Sequence, residues 1–244
     1  MKKIIKNAVV VLLILTLSAS TAFLTYLHFF ASEDEELSGE WIAELDMTDR
    51  AAVTAINWLQ DIEAVSISLE DMESYMQDLT IRINLTLEQT APSEGTFRCY
   101  VLPESYDDCN QAAYEAFAMA FQALLTERLL MAGYTGSTDH ETLEALVTET
   151  FGMSTVSYLM SCGPALLPSL EELQAQYDGS GIYEFAEGVL TRQFDVGGPV
   201  STKVEYYIRN DLNLILSEEN GSVLDGFFSD HSPMVYTLKQ PQEQ

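Results

Sequence analysis

The chain has 244 residues, with 38 acidic against 11 basic side chains and a formal net charge of −27 at pH 7. That balance excludes a nucleic-acid surface, which needs clustered Lys and Arg. It also excludes docking onto anionic lipid headgroups.

The charge is distributed unevenly along the chain. Lys2, Lys3 and Lys6 precede an apolar stretch over residues 8–31 in which His28 is the one weakly basic residue, and all 38 acidic residues lie at or beyond Glu33. As a helix those 24 residues would span about 36 Å, enough for a bilayer core of about 30 Å. Positive charge stays on the cytoplasmic side. The expectation is therefore a cytoplasmic stub over residues 1–7, a single-pass transmembrane signal anchor over 8–31, an acidic linker over 32–38 and an extracytoplasmic domain over 39–240. The alternative is a cleaved signal peptide with Ser20-Thr21-Ala22 as its small-residue site. Cleavage after Ala22 would release a secreted chain beginning with the greasy run from Phe23 to Phe30.

In chain order, Trp41–Leu45 reads as a short strand entered through Gly39. Thr48–Leu59 reads as a helix with Thr48 as N-cap, and Ser68-Leu69-Glu70-Asp71 opens another through Met76. From Leu79 to Glu88 apolar and polar residues alternate strictly, which predicts a strand with one buried and one wet face. Ala91-Pro92-Ser93-Glu94-Gly95 is a turn, and Thr96–Val101 returns as the second strand of a hairpin. A helix of about 25 residues follows, capped by Ser105, with Asp107 and Asp108 in its first turn and Gly133 at its end. Its polar stripe is narrow (Gln111, Glu115, Gln122, Thr126), so it is expected to be a central apolar helix packed on the sheet. Thr138-Asp139-His140-Glu141 opens a helix to Phe151, Ser154–Met160 is a further helix, and Ser169-Leu170-Glu171-Glu172 opens one ending near Tyr177. The helical block thus occupies about residues 105–177.

Asp178-Gly179-Ser180-Gly181 reads as a turn. The remainder is strand: Gly181–Ala186 and Val189–Phe194 pair around Glu187-Gly188, and Val204, Tyr206 and Ile208 alternate with Glu205, Tyr207 and Arg209. Turns at Asn210-Asp211 and Asn220-Gly221 separate two more strands, the last being Met234–Lys239. The predicted class is α+β: an antiparallel curved sheet or partial barrel of about 6–8 strands with a helical insertion.

Chemistry is sparse. Past the anchor the histidines are His140, at a helix start, and His231, in a loop, and no nucleophile-elbow context accompanies them. The acid pairs Glu70-Asp71, Asp107-Asp108, Glu171-Glu172 and Glu218-Glu219 sit at helix starts and turns, where capping accounts for them. No metal or other cofactor is expected, because Cys99, Cys109 and Cys162 form no ligand pattern. They read as three buried small apolar residues, with a Cys99–Cys109 disulfide as the alternative. Arg82 and Arg98, on the polar faces of the hairpin, are the candidate ligand-binding residues; the competing reading pairs them with neighbouring acids such as Glu88.

Gly39-Glu40-Trp41 resembles the Gly-x-Trp opening of lipocalin-type barrels, and the closing run from Tyr206 to Leu214 is similar to the last strands of small lipocalin-like domains in exported bacterial proteins. The resemblance implies a barrel. The helical block departs from that family, which has one helix after the barrel, so the long apolar helix is expected to fill the concave side. The chain as a whole resembles membrane-anchored exported proteins of Gram-positive anaerobes, a likeness that implies no activity. The functional expectation is a non-enzymatic, membrane-tethered extracytoplasmic domain whose partners are the lipid bilayer through residues 8–31 and a small molecule or protein. The alternatives are a cell-surface hydrolase with an acid pair in the sheet–helix cleft and a structural assembly component of the cell envelope.

Overall fold

The computed structural model describes residues 36–62, 67–195, 201–218 and 233–240. The expected anchor, the Asn220-Gly221 turn and His231 lie outside the described residues. Among the described residues no helix is long and apolar enough to cross a membrane.

Eight strands close into one antiparallel barrel in simple sequence order. They are β1 (Gly39–Asp46), β2 (Thr80–Ala91), β3 (Glu94–Val101), β4 (Gly179–Ala186), β5 (Val189–Phe194), β6 (Ser201–Asn210), β7 (Asn213–Glu218) and β8 (Met234–Leu238). Closure comes from β1 pairing with β8, Trp41 opposite Leu238 and Ala43 opposite Tyr236. The long Leu79–Glu88 alternation lies in β2, with Ile81, Ile83, Leu85 and Leu87 buried. A closed eight-stranded meander is compatible with the lipocalin-like barrel that Gly-x-Trp implies. It also leaves no unpaired sheet edge.

Six helices are inserted: α1 (Thr48–Ile62) and α2 (Leu69–Tyr75) between β1 and β2, then α3 (Pro103–Met131), α4 (His140–Phe151), α5 (Thr155–Cys162) and α6 (Leu170–Tyr177) between β3 and β4. Both insertions leave from the C-terminal ends of parallel-running strands, so they gather at one end of the barrel. There α3 contacts β2 and α6 contacts β3, and the Trp58 and Phe117 rings meet edge to face at 5.7 Å between α1 and α3. At the other end Leu37 is fully buried, and its carbonyl accepts a hydrogen bond from Trp41 Nε1 at 3.1 Å.

Several expectations are corrected. The long helix does not fill the concave side, because the barrel closes on itself and the helix lies across its end. Only the first two thirds of α3 are buried, from Ser105 to Gln122, while Leu130 and Met131 near its C-terminus face solvent. Ser105 is not the cap: the helix starts at Pro103 after Leu102, and the Ser105 hydroxyl instead accepts from the Arg82 amide at 2.9 Å. Asp139, one residue later than the expected capping box, caps α4 through the Thr142 amide. The Ser169–Glu172 box of α6 forms as read, with both reciprocal hydrogen bonds. Asp178–Gly181 is no turn: β4 begins at Gly179, and the Asp178 carboxylate accepts from the Val101 amide at 2.8 Å. All three cysteines are free; Cys99 and Cys109 are buried as expected, but Cys162 is exposed.

Candidate functional site

Alternation along each strand sorts the barrel into an inner and an outer layer. The inner layer is dense. Trp41, Ile81, Ile83, Leu85, Tyr183, Leu190 and Leu214 have no solvent-accessible surface at all. No space wide enough for water therefore touches them, as expected of an eight-stranded barrel whose interior its own side chains can just fill.

Polar groups are built into this interior, and Lys203 reaches one of them, Glu205, at 3.2 Å. Arg192 of β5 forks onto Glu205 of β6, Nε to Oε2 at 2.8 Å and Nη2 to Oε1 at 2.9 Å, with both side chains about 95% buried. The guanidinium lies 5.4 Å from the Phe97 ring centre and 5.7 Å from that of Phe194. Cys99 and Tyr236 hydrogen-bond beside this pair; burial raises the Cys99 thiol and holds the Tyr236 phenol well above its ordinary pKa. Nearer the other end, Arg209 lies 5.9 Å from the Trp41 ring. The Tyr183 ring packs so close to Gly95 that a Cβ there would stand 2.7 Å from it. Burial pushes the Tyr183 phenol up to about 12. The Tyr183 hydroxyl and Arg209 Nε find no hydrogen-bond partner among the described residues.

The outer layer divides into two walls. On β1, β2 and β3 the outward positions include Glu40, Glu44, Asp46, Arg82, Glu88, Glu94 and Arg98, interleaved with Ile42, Asn84, Thr86, Thr96 and Tyr100. Glu40 accepts from Asn84 at 2.6 Å and pairs with Lys239 at 2.8 Å; the Lys239 contact, then Asn84, draws its pKa down. The outward positions of β5 to β8 are Val189, Thr191, Gln193, Thr202, Val204, Tyr206, Ile208, Asn210, Asn213, Ile215, Ser217, Val235 and Thr237, without one charged side chain. Val235, Ile215 and Ile208 stand in one row across three strands, directly opposite one another in register. Beside them on β6, Tyr206 and Val204 continue the apolar surface, and Ile208 is 64% exposed.

β6 thus inverts the usual burial rule. Its apolar residues Val204, Tyr206 and Ile208 point out, while Glu205 points in and is 4% exposed. A shift of one residue would exchange the two faces of the strand, taking Glu205 away from Arg192 and Tyr207 out of the interior.

The sequence-selected residues fall elsewhere. Arg82 and Arg98 both lie on the charged wall, four residues apart in register, or about 13 Å along the strand. Arg82 stands opposite Glu44 across β1, and Arg98 lies 5.4 Å from the Tyr100 ring centre. His140 is exposed at the start of α4, beside a groove of about 540 Å³ that Glu141, Glu144 and Thr148 also line. Gln122, expected on the exposed stripe of α3, is buried and organises this corner. Its amide nitrogen donates to Glu144 at 2.8 Å and to Thr155 at 3.1 Å, which leaves its carbonyl to accept from His140 Nδ1 at 2.7 Å. The cluster fastens α3, α4 and α5 together. Sequence reasoning missed the uncharged wall; the signal was present in four outward strand faces without a charge in so acidic a chain.

No family model, no curated protein and no solved structure matches the chain.

Proposed function

We propose that this chain is a partner-binding barrel, held outside a membrane by residues 8–31, which meets its partner through the uncharged outer wall of β5 to β8. The observation that carries this reading is the inversion of β6. Exposing Val204, Tyr206 and Ile208 while burying Glu205 and Arg192 works against stability on both counts, since a buried ion pair is often no better than an apolar pair of the same volume. A contiguous exposed apolar surface rimmed by polar groups marks an interaction site. The acids elsewhere keep other faces solvated and apart.

The test compares two charge insertions in the full-length chain, extracted from membranes in a mild non-ionic detergent. Ile208→Asp adds an acid to the uncharged wall and Thr96→Asp adds one to the charged wall. The expected result is that complexes above the chain's own mass on native gels disappear with Ile208→Asp and persist with Thr96→Asp. Complexes that survive both changes would overturn the reading.

A further inference from the structure

We infer that the occupant of the uncharged wall is a second copy of this chain, paired face to face about a twofold axis. The inference rests on the proposed partner-binding reading and names its partner.

Three observations lead there. The first is charge. In a twofold contact residue i of one copy meets residue j of the other and j meets i, so the face must be complementary to itself. The β1–β3 wall turned on itself would set Glu40, Glu44, Asp46 and Glu88 against the same acids. The β5–β8 wall brings no like charges together in a chain of net charge −27. The second is hydrogen-bond chemistry. The polar groups interleaved with Val204, Ile208, Ile215 and Val235 are hydroxyls and amides: Thr191, Gln193, Tyr206, Asn213, Ser217 and Thr237. Each of these can donate and accept. Such groups can bond one another across the contact, although Thr237 already donates to Asn213 at 3.3 Å within one copy; a wall of carboxylates cannot do so.

The third is area and placement. Four strands about 4.8 Å apart and about seven residues long give a face of roughly 440 Å² in projection. That face, polar positions included, is the size of the largest patch on a typical monomer, which is often functional. It is below the roughly 800 Å² per partner of a standard interface, so the contact is a weak one that gains from confinement. The wall runs along the side of the barrel. β1 starts and β8 ends at the same barrel end, away from the helices. A twofold parallel to the barrel axis thus keeps both tethers on one side. Two copies anchored in one bilayer meet at a raised effective concentration.

The test uses the full-length chain in its membrane, with Cys162→Ser removing the exposed thiol and Ile208→Cys placing one on the wall. A bismaleimide spanning about 10 Å, the separation of two packed sheets, is then added. The expected product has twice the chain mass, and the parallel Thr96→Cys chain gives none. No cross-linked product, or an equal yield from both positions, overturns the inference. An adduct of Ile208→Cys with a different protein also overturns it, while leaving the partner-binding reading of the wall standing. Cys99 and Cys109 must stay unlabelled, which shows that the barrel is folded in both variants. If Ile208→Cys unfolds the barrel, Val204→Cys is the second position, with the same expected and contrary results.

Discussion

The two outer walls of this barrel share one backbone design and one interior, yet they differ in almost every outward side chain. On β1–β3 acids and arginines are interleaved mostly with polar groups, together with Ile42 and Tyr100, the usual dress of a sheet facing water. On β5–β8 the outward positions carry no charge, while the opposite face carries Arg192 and Glu205, with the half-exposed Lys203 reaching Glu205 at 3.2 Å. The difference teaches that the uncharged wall is not arranged for stability, since its exposed apolar residues and buried ion pair both work against it. What distinguishes them is what each can touch.

That comparison can be broken or sharpened by substitution. The largest expected effect lies under the uncharged wall. Glu205→Ala leaves Arg192 charged, buried and unpaired, and should cost about 3–5 kcal/mol in urea unfolding. Replacing both partners, as Arg192→Met with Glu205→Leu, should recover most of that loss. If Glu205→Ala unfolds no more easily than the wild type, the pair does not fix the facing of β6. On the opposite wall Leu85→Ala, a fully buried inward position of β2, should cost about 2–5 kcal/mol. A loss of similar size on both sides supports a common interior.

Smaller effects separate the helices from the barrel. Ser169→Ala removes the reciprocal capping box of α6 and should cost about 1 kcal/mol, seen as a lowered urea midpoint with unchanged slope.

Titration tests the interior from another direction. Burial raises Cys109 from 9.0 to about 11. A group whose pKa is raised on folding stabilises fully below its unfolded value and loses that contribution as pH climbs through the folded one. The melting temperature should therefore fall as pH rises from about 9 to about 11. Tyr183, raised to about 12, acts in the same direction. At the acid end, Asp139 is held down to about 2 by Ser137 first and the Thr142 amide next. Its contribution is present above its unfolded value near 3.8 and is lost as pH falls through the folded one. A flat alkaline profile would contradict the burial of these groups. The smallest stability effect is on the surface: Ile208→Asp and Thr96→Asp should each change unfolding free energy by less than about 0.5 kcal/mol, although only the first should alter association.

Local features were legible in the sequence. The ten-residue alternation of β2, the Ser169–Glu172 box and the Glu187-Gly188 hairpin turn, whose residues adopt φ of 52° and 81°, depend on near neighbours and were read directly. Closure was not legible, because Trp41 opposite Leu238 joins the two ends of the domain, and no local pattern encodes so distant a partner. Ser105 reads as a cap by type, yet it serves the neighbouring strand β2. The facing of β6 was hidden for a stronger reason. A binary pattern turns Val204, Tyr206 and Ile208 inward, whereas in the structure Glu205 and Tyr207 take the inner face and Glu205 meets Arg192 of the adjacent strand. The residues singled out at first, Arg82 and Arg98, mark the ordinary wall.

The central claim, that the uncharged wall pairs with a second copy of the chain, is tested most directly by sedimentation velocity of the full-length chain in non-ionic detergent at about 0.05 M and about 1 M NaCl. Salt screens repulsion between acidic copies and leaves apolar contact intact. The account predicts a dimer fraction that rises with salt and vanishes in Ile208→Asp. A chain that is monomeric at both salt concentrations, or a dimer that dissolves as salt is added, would contradict it.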